Sequence, residues 1–154
     1  MKFVLTKNLR PHREGRRKMI ELDDLYDYAN ENGIETEYRN MRYVPALSVV
    51  IDGEMCVVIN PVMISSSADE KVKLAHEIGH CTAGGFYDKL SPWDVVARCE
   101  NRANKWAIKK LVPKDELETA IKRGNMNLWE LSEKFNVTEG FIKKAISFYR
   151  SGHL

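Results

Sequence analysis

The stretch Leu74 to Cys81 reads LAHEIGHC, and it limits what the rest of the chain can become. His76 and His80 lie four residues apart, so on a helix their imidazoles share one face a turn apart and can grip a single metal ion. At roughly 100° per residue, Leu74, Ile78 and Cys81 fall on nearly the opposite side, so one face suits a core and the other a cleft. With Glu77 beside the first histidine the pattern is H-E-x-x-H. It supplies two zinc ligands and a carboxylate next to the metal's open position that can act as general base.

The surrounding residues predict the helix. Ser67 to Glu70 has the S-x-x-E form of a capping box, which starts a helix at Ala68, and Gly84 with Gly85 ends it. Gly79 inside that helix costs about 1 kcal/mol relative to alanine, which close approach of another backbone would justify. Catalytic zinc takes three protein ligands, so a third must come from elsewhere. Ser91 and Pro92 read as N-cap and first residue of a second helix running to about Leu111. Its apolar residues Val96, Cys99, Ala103, Trp106, Ala107 and Leu111 form one arc with Glu100 in its middle. A carboxylate buried there needs a partner or a metal, and Arg98 and Arg102 point away, so Glu100 is the candidate third ligand.

HEIGH followed by E-x-x-A-N-x-W-A, at Glu100, Ala103, Asn104, Trp106 and Ala107, resembles the ImmA/IrrE family of zinc metallopeptidases. The resemblance runs from about Lys18 to about Tyr149. It implies a zincin-like, gluzincin-type fold, a Zn2+ cofactor and an intracellular regulatory protease, often encoded on mobile elements, that cleaves a repressor and so induces genes. It also implies that a sheet edge bordering the cleft receives the substrate as an added strand. On this reading Val57, Val58 and Ile59, in the strand directly before the motif helix, are the candidate substrate-binding edge.

The chain has 154 residues, 44% hydrophobic and 30% charged, enough for one core. No stretch approaches the length of a membrane span and no apolar run near the start resembles a signal segment, so a cytoplasmic location without membrane contact is expected. Three cysteines, Cys56, Cys81 and Cys99, at unrelated spacings argue against a disulfide framework, and Cys81 and Cys99, each beside a candidate ligand, read as small buried thiols. The net charge is +2, yet residues 1 to 18 hold seven Lys or Arg and one Glu. Residues 1–17 are therefore set apart as a basic arm, without the interleaved aromatics of a nucleic-acid binder.

Helical periodicity from Lys18 to Asn32, a short strand Thr36 to Tyr38, and two β-branched runs, Ala46 to Ile51 and Met55 to Ile59, joined by Asp52-Gly53, predict a small sheet before the motif helix. The class is α+β. Beyond Pro113 come short helices, Lys114 to Arg123, Leu128 to Phe135 and Glu139 to Tyr149, the last two with a helix-turn-helix outline. The division is thus 1–17 arm, 18–112 metallopeptidase core and 113–154 helical appendage. Seven basic and six acidic residues over 114–154 give little electrostatic footprint for DNA, which favours a packing or protein-contact role. An oxyanion donor is needed but not assigned, with Tyr87 and His153 as candidates. The competing functions are a module that holds a repressor without cutting it and a DNA-binding regulator with a structural metal. An intact Glu77 argues against a structural metal.

Overall fold

Asp52 and Gly53 both adopt positive φ, 52° and 87°, the combination that a two-residue hairpin turn requires. They join β2 (Ala46–Ile51) to β3 (Glu54–Ile59), paired antiparallel from Ile51 with Glu54 to Ala46 with Ile59. On its other side β3 pairs in parallel with β1 (Ile34–Tyr38), two residues longer than the sequence suggested. The computed structural model describes residues 18–124 and 126–152. The basic arm of residues 1–17 and His153 lie outside the described residues.

The sheet order is β1-β3-β2, which corrects one expectation. Val57, Val58 and Ile59 do not border a free edge. They occupy the central strand and are 0%, 5% and 1% exposed, because the chain between β1 and β2 folds back so that β1 covers the side of β3 that would otherwise be free. The buried Asn60 fixes that connection: its side-chain amide donates to the carbonyls of Met41 and Val44, and its backbone N–H donates to Pro45 O. The free edge beside the motif helix belongs to β2.

Helix α1 (Leu22–Glu31) starts later than its periodicity suggested, because the Asp24 carboxylate accepts the Glu21 backbone N–H and closes the N-terminus there. The motif helix α2 (Ser67–Gly79) starts one residue earlier than expected, with Ser66 as N-cap accepting from the Asp69 N–H. Glu70 is therefore not a capping partner. Its carboxylate instead accepts the hydroxyls of Tyr26 and Tyr38, tying α2 to α1 and β1. A π-helical turn, His80–Gly84, extends α2 until Gly85 leaves it at φ 74°. Helix α3 (Trp93–Leu111) follows, with Pro92 as its N-cap residue.

Helices α4 (Lys114–Gly124), α5 (Leu128–Phe135) and α6 (Glu139–Ser151) share the buried cluster of the other elements: Leu117, Leu131, Phe135, Val137 and Ile142 join Leu74, Ile78, Val57 and Ile108. A charge takes part in this packing. Lys71 of α2 is fully buried and donates to the Phe135 carbonyl at 2.8 Å, at the negative end of α5. Such a charged hydrogen bond is worth about 1.5 to 3 kcal/mol, and burial lowers the Lys71 pKa below its ordinary value. Among the described residues no helix is long and apolar enough to cross a membrane.

The close approach anticipated at Gly79 is present. A Cβ built on Gly79 would lie 2.7 Å from the carbonyl oxygen of Ala103 on α3. On an isolated helix Gly79→Ala would stabilise by about 1 kcal/mol. Here it should destabilise by about 1 to 3 kcal/mol, since backbone rather than a flexible side chain must move. Urea denaturation reads the sign, and a gain in stability would mean that α3 does not rest on α2 at this point.

Candidate metal centre

The end of α2 presents His76, Glu77 and His80 to a cleft, and α3 brings Glu100 across from the other side. His76 Nε2 and His80 Nε2 are 3.1 Å apart. Glu100 reaches both, with Oε2 3.3 Å from His76 Nε2 and Oε1 3.1 Å from His80 Nε2. The three side chains expected to converge do so, and among the described residues they form the cluster able to hold a metal ion. Glu100 is less enclosed than its place in an apolar arc suggested: a third of its side chain is exposed, because it opens onto the cleft.

These distances test whether a metal fits. Ligand atoms at about 2.0 to 2.1 Å from a tetrahedral zinc lie about 3.3 to 3.4 Å from one another. The separations of 3.1 to 3.3 Å, with one Glu100 oxygen facing each histidine, come near that spacing. The tautomer is also set. His80 Nδ1 donates to Gly85 O at 3.1 Å, which leaves Nε2 as the lone-pair nitrogen facing the other two ligands. The π-helical turn makes this bond possible, since it returns the Gly85 carbonyl beneath the imidazole that opens the turn. Burial lowers the His76 pKa, which favours the neutral, metal-binding imidazole.

Glu77 lines the same cleft, and among the described residues it has no hydrogen-bond or ion-pair partner. Its carboxylate is free to accept a proton from a small molecule bound between the ligands. Tyr87 is drawn in as well: its hydroxyl donates to Glu100 Oε1 at 2.5 Å, and its ring lies edge-on to His80 with centroids 5.8 Å apart. The bond to Glu100, together with burial, pushes the Tyr87 pKa up to about 12, so the hydroxyl keeps its proton near neutral pH. The cysteines stay out of the ligand set. Burial pushes the Cys81 pKa up to about 11, and Cys56 and Cys99 are buried free thiols.

Sequence reasoning did not find the rest of the cleft wall. Ala46, Leu47 and Ser48 of β2 line it, as do Val44, Gly85 and Phe86, and Phe141 and Lys144 reach it from α6. The Gly84-Gly85 pair was the available signal for the His80 carbonyl partner, although alone it reads as a helix stop. Nothing local marks Lys144, which lies forty-four residues beyond Glu100.

No curated protein matches the chain. Residues 30–147 match the family model described as the IrrE N-terminal-like domain, Peptidase_M78, a span that contains the sheet, both ligand-bearing helices and most of α6. The chain belongs to this peptidase family, as the HEIGH and Glu100 motifs suggested.

Proposed function

We propose that the protein is a zinc-dependent endopeptidase with a regulatory role, cutting a helix-turn-helix repressor at an extended segment. The observation that carries this reading is the convergence of the His76, His80 and Glu100 side chains, whose ligand atoms lie within 4.8 Å of one another, beside a Glu77 carboxylate that has no partner among the described residues. His76, His80 and Glu100 would hold the metal, which when bound supplies Lewis acidity that polarises a scissile carbonyl and acidifies water. Glu77 acts as general base, taking the proton of the attacking water and passing it to the leaving amine. Tyr87, protonated and adjacent to Glu100, is the donor available to the developing oxyanion.

The edge of β2 supports a place for the substrate. Pro45 O accepts from Asn60 N, so the alternation of an antiparallel ladder turns the main-chain groups of Leu47 and Val49 toward β3 and those of Ala46, Ser48 and Val50 outward. Ala46 and Ser48 lie beside His76 and Glu77 in the cleft wall. An extended peptide can pair with these groups and lie across the ligands, which requires about four to six residues free of other structure. A folded repressor would therefore be cut in a linker or a locally opened segment.

Two sets of variants test this reading. Glu77→Gln should keep one zinc per chain and the fold while losing cleavage by about 10² to 10⁴-fold, and Tyr87→Phe should keep zinc and lose about 10²-fold in kcat. His80→Ala and Glu100→Ala should lose the metal as well. Zinc analysis with a cleavage assay reads all four, and normal cleavage by Glu77→Gln would remove the hydrolytic assignment.

The second set concerns the edge. Ser48→Pro removes an outward N–H without touching the β2–β3 ladder, so it should preserve folding and zinc yet impair cleavage, whereas Val58→Pro in the central strand should unfold the sheet. Circular dichroism and turnover distinguish the two effects. A folded Ser48→Pro protein that cleaves normally would show that the substrate does not pair with β2.

A further inference from the structure

The cleft continues past the three ligands in both directions, and its two ends differ in chemistry. Toward the π-helical turn its walls are Val44, Leu47, Phe86 and Tyr87, and among the described residues no charged side chain lines it beyond those of the site itself. Val44, Leu47 and Phe86 are 38%, 41% and 40% exposed, apolar surface that nothing in the chain covers among the described residues. Toward α6 the walls are Pro45, Val72 and Phe141 together with Lys73, Asn104 and Lys144. Ala46, His76, Glu77 and Glu100 belong to both ends, so an extended chain crossing the ligands would touch each in turn.

The two lysines at the α6 end are not equivalent. Lys73 is paired with Asp69 at 2.6 Å, so its charge is already met. Lys144 donates only to the neutral amide oxygen of Asn104, at 3.2 Å, and among the described residues no carboxylate lies within ion-pairing distance of it. Asn104 is itself held, its Nδ2 donating to the Glu100 carbonyl at 2.8 Å, so the ammonium is anchored to the turn that carries the third ligand. A divalent metal would offset the two carboxylates of the site, Glu77 and Glu100. The uncompensated charge remaining at the cleft would then be the Lys144 cation.

Building on the peptidase reading, we infer that Lys144 is a specificity-determining residue: the substrate places an Asp or Glu side chain against it on one side of the scissile bond, and a bulky apolar side chain against Val44, Leu47 and Phe86 on the other. A carboxylate there replaces water around an ammonium that is already oriented, so little side-chain freedom is lost on pairing. The opposite end offers only dispersion and apolar burial, which selects size and rejects charge. The last helix of the chain is thereby part of the substrate site.

A proteome-derived peptide mixture incubated with the zinc-loaded full chain, with cleavage sites read by mass spectrometry, tests this inference. Acidic residues should be enriched at one position on a single side of the cut and bulky apolar residues on the other. Lys144→Met should abolish the acidic preference, and Lys144→Glu should invert it toward Lys and Arg, changing the ratio of kcat/KM for matched acidic and basic peptides by about fivefold or more. Zinc content and thermal melting confirm that each variant is folded and loaded. Cleavage without acidic enrichment, or an identical profile from wild type and Lys144→Glu, overturns the role of Lys144 and leaves the peptidase reading standing. A wild-type chain that cuts no peptide in the mixture removes both.

Discussion

The contact between two backbones, Gly79 of α2 against Ala103 of α3, is the constraint on which the site depends. With no Cβ at Gly79 the helices meet at a distance that any side chain would prevent, and Gly84 repeats the arrangement against the carbonyl of Cys99. His80 directly follows Gly79 and Glu100 lies one turn before Ala103, so the approach of the helices sets the separation of the ligands. The π-helical turn belongs to the same device, since it lets the chain meet α3 twice and brings Gly85 O under His80. A metal site needs its ligands placed to within about 0.5 Å, and two helices in direct backbone contact give that placement a rigid base.

The C-terminal helices take part in this arrangement. Lys71, one and a half turns before His76, is fully buried and bonded to the last carbonyl of α5, while Asn136 beyond it donates to the Glu21 side chain. From α6, Lys144 reaches Asn104, which is bonded to the Glu100 backbone. Each of the two ligand-bearing helices is thus held by a polar contact from the helix-turn-helix-like pair. A disturbance of α5 or α6 would reach the ligands through these bonds.

What could be read from the sequence was local and periodic. The i, i+4 histidines, the arc containing Glu100, the Asp52-Gly53 hairpin and the Thr138 N-cap each depend on residues a few positions apart, and each has its counterpart in the structure. Strand order depends on pairing across the chain, so Val57, Val58 and Ile59 read as an edge when only β2 and β3 were visible as a unit; the parallel β1 makes β3 central. Glu70 had the spacing of a capping residue, but two tyrosine hydroxyls from other elements claimed it. Nothing in the sequence around Lys71 marks its role, and only the packing of α5 against α2 gives its ammonium a buried partner. Residues whose roles arise from contacts between distant segments leave no spacing to detect.

Zinc K-edge absorption spectroscopy on the purified chain tests the metal assignment most directly. About one zinc per chain is expected, with two imidazole nitrogens and a carboxylate oxygen, all at about 2.0 to 2.2 Å, and no sulfur. A shell of sulfur at about 2.3 Å would contradict it, because Cys81 or Cys99 would then stand where Glu100 is assigned.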